Sequence, residues 1–185
     1  MAFLQTLKQK ITGKDPGLDT AFSLYNALVE EARSPALFDQ YDIPDTIDGR
    51  FDVIVLHIAL FLIGTAKTLE AAGQGELGRE LIGIFLKDMD RNLREIGVGD
   101  LSVGKQVKKM ASGLYGRVQG YEAALADQNP ESALARALTR NLYRDAKNSK
   151  SRAAGLSRHS LKVFARMQKL TLENILTGAI GGSAA

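Results

Sequence analysis

Apolar residues are most concentrated in the stretch 53–63, where His57 is the single polar side chain. A helix that is apolar on every side is either a membrane span or the central helix of a bundle. A span needs roughly 20 apolar residues, whereas charged residues bound this run at Asp52 and Lys67. A buried strand is the alternative, but helix-compatible residues continue well beyond the run. The pattern therefore predicts a core helix over about residues 51–70.

The other helices are predicted from apolar residues that recur at intervals of three and four. Ser34 and Pro35 end the first long helix, because the residue before a proline disfavours the helical conformation. Residues 35–48 are predicted to be an irregular connector that leads into the core helix. The remaining helices are predicted over about residues 18–33, 76–96, 102–125, 130–142 and 156–177.

These elements predict an all-α fold, a compact single-domain bundle of six or seven helices around the central apolar helix over about 51–70. Ahead of the bundle, apolar residues at helical spacing predict a short amphipathic helix that either docks on the core or lies on a membrane. These residues are Phe3, Leu4, Leu7 and Ile11.

The organisation of the chain follows from these elements. Residues 147–155 are polar and basic and are predicted to be a linker within the C-terminal part. We expect an N-terminal amphipathic helix and turn over 1–17, a helical domain over 18–128, basic C-terminal helices over 129–177 and a flexible tail over 178–185.

The composition excludes several classes of site. The chain has no cysteine, which excludes disulfides, thiolate metal sites and cysteine catalysis. It has only two histidines, His57 and His159. Its start, MAFLQTLKQKI, has no basic segment followed by an apolar one, so we expect no signal peptide. With no transmembrane span predicted, we expect a cytoplasmic protein, either free or associated with the periphery of the inner membrane.

The net charge of +3 is unevenly distributed along the chain. The segment from Arg136 to Lys169 contains ten Lys or Arg and one Asp, a charge of +9, so the remainder carries −6. Such a segment favours a polyanion, either RNA or an anionic membrane surface, and the alternative is a solvated helical face. The predicted polyanion-binding residues are Arg136, Arg140, Arg144, Lys147, Lys150, Arg152, Arg158, Lys162, Arg166 and Lys169.

No motif makes a specific case for an enzyme. Asp88 and Asp90 resemble a metal-binding pair, but residues two apart on a helix point to different sides. Gly104 and Lys105 lack the spacing and the hydroxyl residue of a phosphate-binding loop. His57 could ligate haem or a metal, although a histidine in such surroundings is more often neutral and hydrogen-bonded within the core. We therefore expect no catalytic residue, no cofactor, no metal and no small-molecule substrate.

Three glycines, Gly113, Gly116 and Gly120, lie inside the helix predicted over 102–125. Each glycine costs about 1 kcal/mol relative to alanine, and all three fall on one side of the helix, away from its apolar seam. A smooth strip of this kind lets another helix approach closely, and the alternative is close packing within this bundle. A basic rim is predicted beside the strip, formed by Lys105, Lys108, Lys109 and Arg117.

Four blocks of the sequence together resemble the ubiquinol-cytochrome c chaperone family. They are SLYNALVEEARSPALF, YDIPDTIDGRFDVIVLHIALFLI, FLKDMDRNLREIGVGDLSVGKQVKKM and SGLYGRVQGY. The blocks occur in the order and spacing of the family and cover roughly Ala21 to Leu125. The form without a presequence is similar to the alphaproteobacterial members. The basic end, about 130–185, lies outside the resemblance.

The resemblance implies a helical, non-enzymatic chaperone for assembly of the cytochrome bc1 complex, with newly made cytochrome b as its client. Mitochondrial members work with a small partner protein and associate with the ribosome at the tunnel exit. The resemblance therefore implies the ribosome or its RNA, and a small partner protein, as further partners of a chaperone-like domain over 18–128.

We expect the helices over 76–96 and 102–125 to form the contact surface for the client. The predicted protein-binding residues are Asp88, Asp90, Arg94, Lys105, Lys108, Lys109, Gly113, Tyr115, Gly116 and Arg117. Two alternatives stay open at this point. One is a ribosome- or RNA-binding module that acts through residues 136–169, and the other is a haem-binding or enzymatic site centred on His57.

Overall fold

The computed structural model describes residues 16–144 and 149–181. Within these two ranges the chain forms eight α-helices and no β-strand. The all-α bundle predicted from the sequence is thus confirmed. The helices are α1 (Pro16–Ala32), α2 (Pro35–Tyr41), α3 (Ile47–Ala71), α4 (Glu76–Glu95), α5 (Asp100–Leu125), α6 (Pro130–Asn141), α7 (Ser149–Met167) and α8 (Leu172–Thr177).

Helix α3 lies at the centre of the bundle and contacts α1, α5 and α7. From Val53 to Phe61 every side chain is at most 2% exposed, His57 included. By length and composition α3 could cross a membrane, but 67% of its most apolar 18-residue window is buried inside the bundle. The prediction of a central core helix is therefore confirmed, and the helix starts at Ile47 rather than near residue 51.

The ends of α3 are set by local signals in the sequence. The Thr46 hydroxyl accepts a hydrogen bond from the Gly49 backbone N–H at 3.0 Å, and Asp48 places a negative charge in the first turn. Both features favour a helix N-terminus. After the last turn, Gly73 adopts a φ of +68°, a left-handed conformation that glycine tolerates and that commonly ends helices.

The outer helices pack in a defined order around α3. Helix α4 contacts α1 and α5, α6 lies between α5 and α7, and α8 packs on α1. The helices α6, α7 and α8 contribute to the same hydrophobic core as α3, through residues such as Leu138, Leu156, Met167 and Ile175. The basic C-terminal part is therefore an integral part of the bundle.

The prediction of an irregular connector over 35–48 is wrong for residues 35–41, which form α2. Pro35 lies in the first turn of α2, where a proline is tolerated because its missing N–H would have no partner in the helix. Leu37 is buried, so the packing of this apolar side chain stabilises a short helix that the turn-forming residues nearby do not suggest.

The prediction of a linker over 147–155 is wrong for residues 149–155, which form the first turns of α7. Ala153 is fully buried in these turns, and burial of one face stabilises a helix whose other face is polar and basic. The predicted last helix is divided into α7 and α8, because Thr171 and Asn174 form a capping box that starts α8.

Three predicted features lie wholly or partly outside the described residues. They are the amphipathic helix over residues 3–11, Lys147, and the tail over 178–185, of which residues 182–185 are not described. Within the described part, Ile180 is only 1% exposed, so the chain packs on the core at least as far as this residue.

Helices α3 and α7 approach each other closely at Gly64. A Cβ atom at this position would lie 2.8 Å from the Cβ atom of Met167. That distance is too short for two carbon atoms in van der Waals contact, so only glycine allows the two helices to pack at this separation.

We expect Gly64→Ala to lower the free energy of unfolding by about 1–3 kcal/mol, the usual cost of overpacking a core. Gly83→Ala in α4 is the matched control, since a Cβ at Gly83 meets no heavy atom within 4 Å. The control should gain up to about 1 kcal/mol from helix propensity. Urea denaturation followed by circular dichroism measures both variants. A Gly64→Ala protein as stable as the parent would contradict this close approach of α3 and α7.

Candidate functional site

An apolar groove lies where the start of α3 meets the end of α4. Its cavity has a volume of about 210 Å³ and is lined on the α3 side by Phe51 and Ile54 and on the α4 side by Met89 and Leu93. Met110 of α5 closes one side of the groove. The surface is therefore built by three consecutive helices of the chain.

Two isoleucines at the rim of this groove are exposed to solvent. Ile47, the first residue of α3, is 64% exposed, and Ile96, just after α4, is 59% exposed. Exposure of apolar side chains costs free energy in proportion to their area, at about 25 cal/mol per Å². A partner that covers both side chains would recover that free energy.

The lining of the groove is adaptable because it includes two methionines. Met89 and Met110 have flexible, unbranched side chains with a polarisable sulfur atom. Such side chains can change rotamer to fit apolar surfaces of different shape, and they are frequent at binding surfaces that accept several sequences. The groove thus suits a partner recognised by its apolar character rather than by one fixed sequence.

The groove continues into a second cavity of about 210 Å³ beside α2. Arg33 and Arg50 line both cavities and so connect them. Arg50 forms an ion pair with Asp45 at 2.6 Å, whereas Arg33 pairs with no carboxylate within the described part of the chain. The joined surface therefore combines an apolar floor with a cation that is free to pair with a partner.

The floor of the groove is held in place by a buried ion pair. The Arg117 guanidinium lies 5.6 Å from the centroid of the Phe51 ring, within the range of a cation–π interaction. Arg117 also pairs with Asp52 at 2.7 Å, and Arg144 reaches the same carboxylate at 3.2 Å. Helix α3, helix α5 and the segment that follows α6 are thus connected beside Phe51.

Asp52 is the charged group at the centre of this network, and its side chain is fully buried. Burial raises the pKa of Asp52 to about 6, although the nearby Arg117 and Arg144 act in the opposite direction. At neutral pH the carboxylate is ionised and paired, which keeps Arg117 over the Phe51 ring.

The structure places the predicted acidic residues of α4 in local interactions. The Tyr25 hydroxyl donates to Asp88 at 2.7 Å, and burial together with this bond raises the pKa of Tyr25. Arg94 pairs with Asp90 at 2.6 Å and also with Asp100 in the first turn of α5. Asp88 therefore links α4 to α1, while Asp90 and Arg94 stabilise the corner between α4 and α5.

The predicted residues of α5 lie in two different settings. Lys105, Lys108 and Lys109 are exposed and pair with no carboxylate in the described ranges. Tyr115 is also exposed, and a Cβ at Gly116 or Gly120 meets no heavy atom within 4 Å. Among the described residues, only the Arg117 side chain approaches Gly113, where it donates to the backbone carbonyl at 3.2 Å.

The glycine strip therefore faces outward, and the described helices leave it uncovered at Gly116 and Gly120. Arg117 belongs instead to the ion-pair network of Asp52 beside Phe51. The ten predicted protein-binding residues are thus not brought together on one surface. The three lysines and the strip share the outer face of α5, whereas Asp88 and Arg117 are bonded to neighbouring helices.

Most arginines of the basic C-terminal segment are ion-paired with acidic residues from other parts of the chain. Arg158 pairs with Glu131 at 3.1 Å, and Arg136 lies 4.0 Å from Asp127. Further pairs join Arg144 to Asp52, Arg152 to Asp42 and Arg166 to Glu31. These residues hold α6 and α7 on the bundle, so the exposed charge is smaller than the sequence count indicates.

Four of the predicted polyanion-binding residues have no carboxylate partner in residues 16–144 and 149–181, and all four are exposed. They are Arg140, Lys150, Lys162 and Lys169. Lys147 lies outside the described residues. A polyanion could therefore reach these four cations without breaking an ion pair within the bundle.

His57 is buried in the core, as the apolar pattern predicts. Its Nδ1 atom lies 2.9 Å from the Val53 carbonyl oxygen, to which it can donate, and burial lowers the pKa of the imidazole. The ring is therefore neutral near pH 7. No group of three or more His, Asp or Glu side chains suited to a metal ion occurs among the described residues.

The sequence did not reveal the groove as a site. Ile47 and Ile96 are the local feature of the sequence that points to the groove, since both are large apolar residues at helix ends, next to turn-forming residues. Their proximity depends on the packing of α4 on α1 and α5, which places its end beside the start of α3, and periodicity within one helix does not report this.

Comparison with known proteins relates this fold to one family. A family model described as "Ubiquinol-cytochrome C chaperone" matches residues 39–182. The crystal structure of the Cbp3 homolog from Brucella abortus superposes with a TM-score of 0.79 and is 33% identical in sequence, covering 98% of this chain and 96% of that chain.

A curated relative is similar over a shorter part. The ubiquinol-cytochrome-c reductase complex assembly factor 1 of Xenopus laevis is 23% identical over 122 residues, which is 66% of this chain. The matched part spans 59% of the length of that relative. The match therefore extends beyond half of both chains.

The buried Asp52 network should make stability depend on pH. Because the pKa of Asp52 in the folded chain lies above its ordinary value of 3.8, the folded protein binds this proton more tightly than the unfolded chain between about pH 4 and 6. The contribution of Asp52 to the free energy of unfolding should decrease as pH rises through that window, by on the order of 3 kcal/mol.

Urea denaturation of the parent and of Asp52→Asn at several pH values measures this effect. The difference in unfolding free energy, parent minus variant, should fall between about pH 4 and 6 and then stay constant. A difference that increases with pH would show that pairing with Arg117 and Arg144 outweighs burial.

Proposed function

The chain belongs to the ubiquinol-cytochrome C chaperone family, and from this we propose that it assists assembly of the cytochrome bc1 complex by binding newly made cytochrome b. The client would be held at the apolar groove between α3, α4 and α5. The single observation that carries this proposal is the pair of exposed isoleucines, Ile47 and Ile96, above an apolar floor. The role is one of binding, without catalysis.

The chemistry of the groove matches that of a membrane-protein client. Before its helices have all packed, such a client exposes apolar side chains to water, and each covered side chain contributes about 1.5–3 kcal/mol. A cavity of about 210 Å³ accommodates a few side chains rather than a whole helix. Binding would therefore follow the helix-in-groove mode, in which residues on one face of a client helix act as anchors.

The cations near the groove suit a client segment that is apolar with acidic flanks. Arg33 lines the groove without a carboxylate partner in the described chain. Lys105, Lys108 and Lys109 add exposed positive charge on α5. Charge complementarity of this kind mainly raises the association rate and the specificity. The predicted surface on α4 and α5 would then contribute through these three lysines and the glycine strip, beside the groove itself.

The groove proposal is tested with Ile47→Asp and Ile96→Asp. Both side chains are largely exposed, so neither substitution should unfold the protein, while a buried charge at the interface should reduce client binding at least about tenfold, or about 1.4 kcal/mol. The measurement is the amount of cytochrome b that co-purifies with the tagged protein, together with the bc1 complex content of membranes.

Leu101→Asp is the matched control, because Leu101 is 101% exposed and does not line the groove. It should retain cytochrome b within about twofold of the parent, a change of less than about 0.5 kcal/mol on the same scale. If the groove variants retained cytochrome b as well as Leu101→Asp does, the groove would not be the client site. If a folded Lys105→Glu/Lys108→Glu/Lys109→Glu variant assembled the bc1 complex normally, only the three lysines of α5 would be excluded from the client site.

A second function is favoured by the four unpaired cations of the C-terminal part. We propose that they bind a polyanion, with ribosomal RNA as the first candidate and anionic lipid of the inner membrane as an alternative. Such binding would bring the chaperone to the place where cytochrome b is made or inserted. A small partner protein, implied by the family, is a further proposed partner, and the protein would work in the cytoplasm or at the membrane periphery.

Truncation cannot test the second function, because α6 to α8 contribute to the core. We instead expect the quadruple variant Arg140→Gln/Lys150→Gln/Lys162→Gln/Lys169→Gln to lose ribosome co-sedimentation and remain folded. In the parent, the affinity for the ribosome should fall steeply as the salt concentration rises. In the variant, the slope of log affinity against log salt concentration should become less steep, by roughly 0.7 for each lost contact to a single-stranded phosphate. Co-sedimentation that is unchanged in the quadruple variant would exclude these cations as the ribosome contact.

A further inference from the structure

Three buried polar atoms on three different helices have no hydrogen-bond partner among the described residues. They are Oε2 of Glu31 on α1, Nε2 of His57 on α3 and Nε of Arg166 on α7. Buried polar atoms in native proteins are nearly always hydrogen-bonded, either to the protein or to an ordered water molecule. Three unpaired atoms in one place would therefore indicate a small polar ligand.

The three side chains form one cluster. A second nitrogen of Arg166, Nη2, donates to Oε1 of Glu31, so the guanidinium and the carboxylate are in direct contact. Burial lowers the pKa of His57, while the Glu31 carboxylate raises it and the Arg166 guanidinium lowers it further. Because electrostatic effects of this kind fall off with distance, both charged groups lie close to the imidazole ring.

The tautomer of His57 follows from its contact with the backbone. Its Nδ1 atom lies 2.9 Å from the Val53 carbonyl oxygen, which can only accept, so Nδ1 carries the proton and Nε2 of the neutral ring is an acceptor. The unpaired atoms are therefore two acceptors, Glu31 Oε2 and His57 Nε2, and one donor, the Arg166 Nε–H. The two acceptors cannot bond to each other, and the single donor hydrogen cannot satisfy both of them.

We propose that Glu31, His57 and Arg166 bind one internal water molecule at the junction of α1, α3 and α7. The water donates one hydrogen to the carboxylate and the other to the imidazole, and it accepts from the guanidinium. Three hydrogen bonds are typical of a buried water molecule, and this arrangement leaves none of the three atoms unpaired. The inference does not rest on the proposed function, since none of the three residues lines the groove.

The charges of the site favour water over an ion. One carboxylate, one guanidinium and a neutral imidazole carry no net charge, so neither a cation nor an anion would gain net attraction there. No group of three His, Asp or Glu side chains that could hold a metal ion occurs in the part of the chain that the structure describes. A neutral molecule that both donates and accepts is therefore the ligand that fits.

The burial of the site sets how long the water stays. The Glu31 and Arg166 side chains are 21% and 31% exposed, whereas His57 is 1% exposed. The ion pair thus lies between the imidazole and the surface, and the water exchanges with bulk solvent only when the contact of α1 with α7 opens. We expect its residence time to exceed the rotational tumbling time of the protein.

NMR spectroscopy of the unmodified full-length protein tests the site directly. A long-range 1H–15N spectrum should show His57 protonated at Nδ1. The ring proton Hδ2, which lies next to Nε2, should give a nuclear Overhauser cross-peak to water with the sign of a rigid proton pair. The methyl protons of Val55 are the control and should give no such peak, because Val55 is fully buried and lies about 200° around α3 from His57.

Either of two results would overturn the proposal. A His57 ring protonated at Nε2 would donate directly to the carboxylate and leave no acceptor for the water. A ring proton without a water cross-peak would show that no long-lived water is bound to the imidazole.

Oxygen-17 relaxation dispersion, which counts long-lived internal water molecules, gives a second measurement. The variant Glu31→Met/His57→Leu/Arg166→Met makes the site apolar, and apolar replacement of a buried ion pair is often tolerated. We expect it to hold one internal water fewer than the parent. Glu131→Met/Arg158→Met is the matched control, because it removes an exposed ion pair between α6 and α7, and it should keep the parental number.

An unchanged number of internal waters in the folded triple variant would contradict the site. An equal loss in the control variant would also contradict it, because the count would then follow the removal of any ion pair. If the triple variant does not fold, the cross-peak of the parent decides the question alone.

Discussion

The middle of helix α3 has no polar face, and the rest of the structure depends on keeping water away from it. Between Val53 and Phe61 every side chain is buried, which requires helices on all sides along this stretch. Helices α1, α5 and α7 supply that cover, and Gly64 allows α7 to approach closely at one point. The functional surfaces are therefore confined to the ends of α3 and to the outer helices.

Charged residues lie at the start of the apolar helix α3. Asp52 is buried one turn after Asp48, and its carboxylate is paired with Arg117 and Arg144. A buried ion pair contributes little net stability, because desolvation of both charges offsets their attraction. The ion pair instead fixes the position of Arg117, which lies over the Phe51 ring and thereby holds the floor of the groove in place. The groove is thus rigid at Phe51 and adaptable at its methionines.

Much of the fold could be predicted from sequence, because it is encoded in local periodicity. The long helices follow from apolar spacing, and the all-round apolar character of 53–63 identified the centre of the bundle. The prediction failed where tertiary packing outweighs local signals. Leu37 stabilises α2 in a turn-rich segment, and Ala153 extends α7 into a stretch predicted to be a linker.

The candidate site was less accessible to sequence reasoning for the same reason. The exposed lysines and the outward glycine strip of α5 could be located from helical geometry alone, but their function stays a prediction. The groove could not be found in this way, since Ile47 and Ile96 line one cavity only when α4 has packed on α1 and α5. Charge counting likewise overestimated the basic surface, because Asp42, Glu31 and Asp127 pair with its arginines from elsewhere in the chain.

The most direct measurement of the groove's role is photo-crosslinking in cells that are making cytochrome b, with a photoreactive residue at Ile96 and, separately, at Leu101. We expect newly made cytochrome b to be captured from position 96 and not from 101; capture from 101 alone, or from neither, would contradict client binding at the groove.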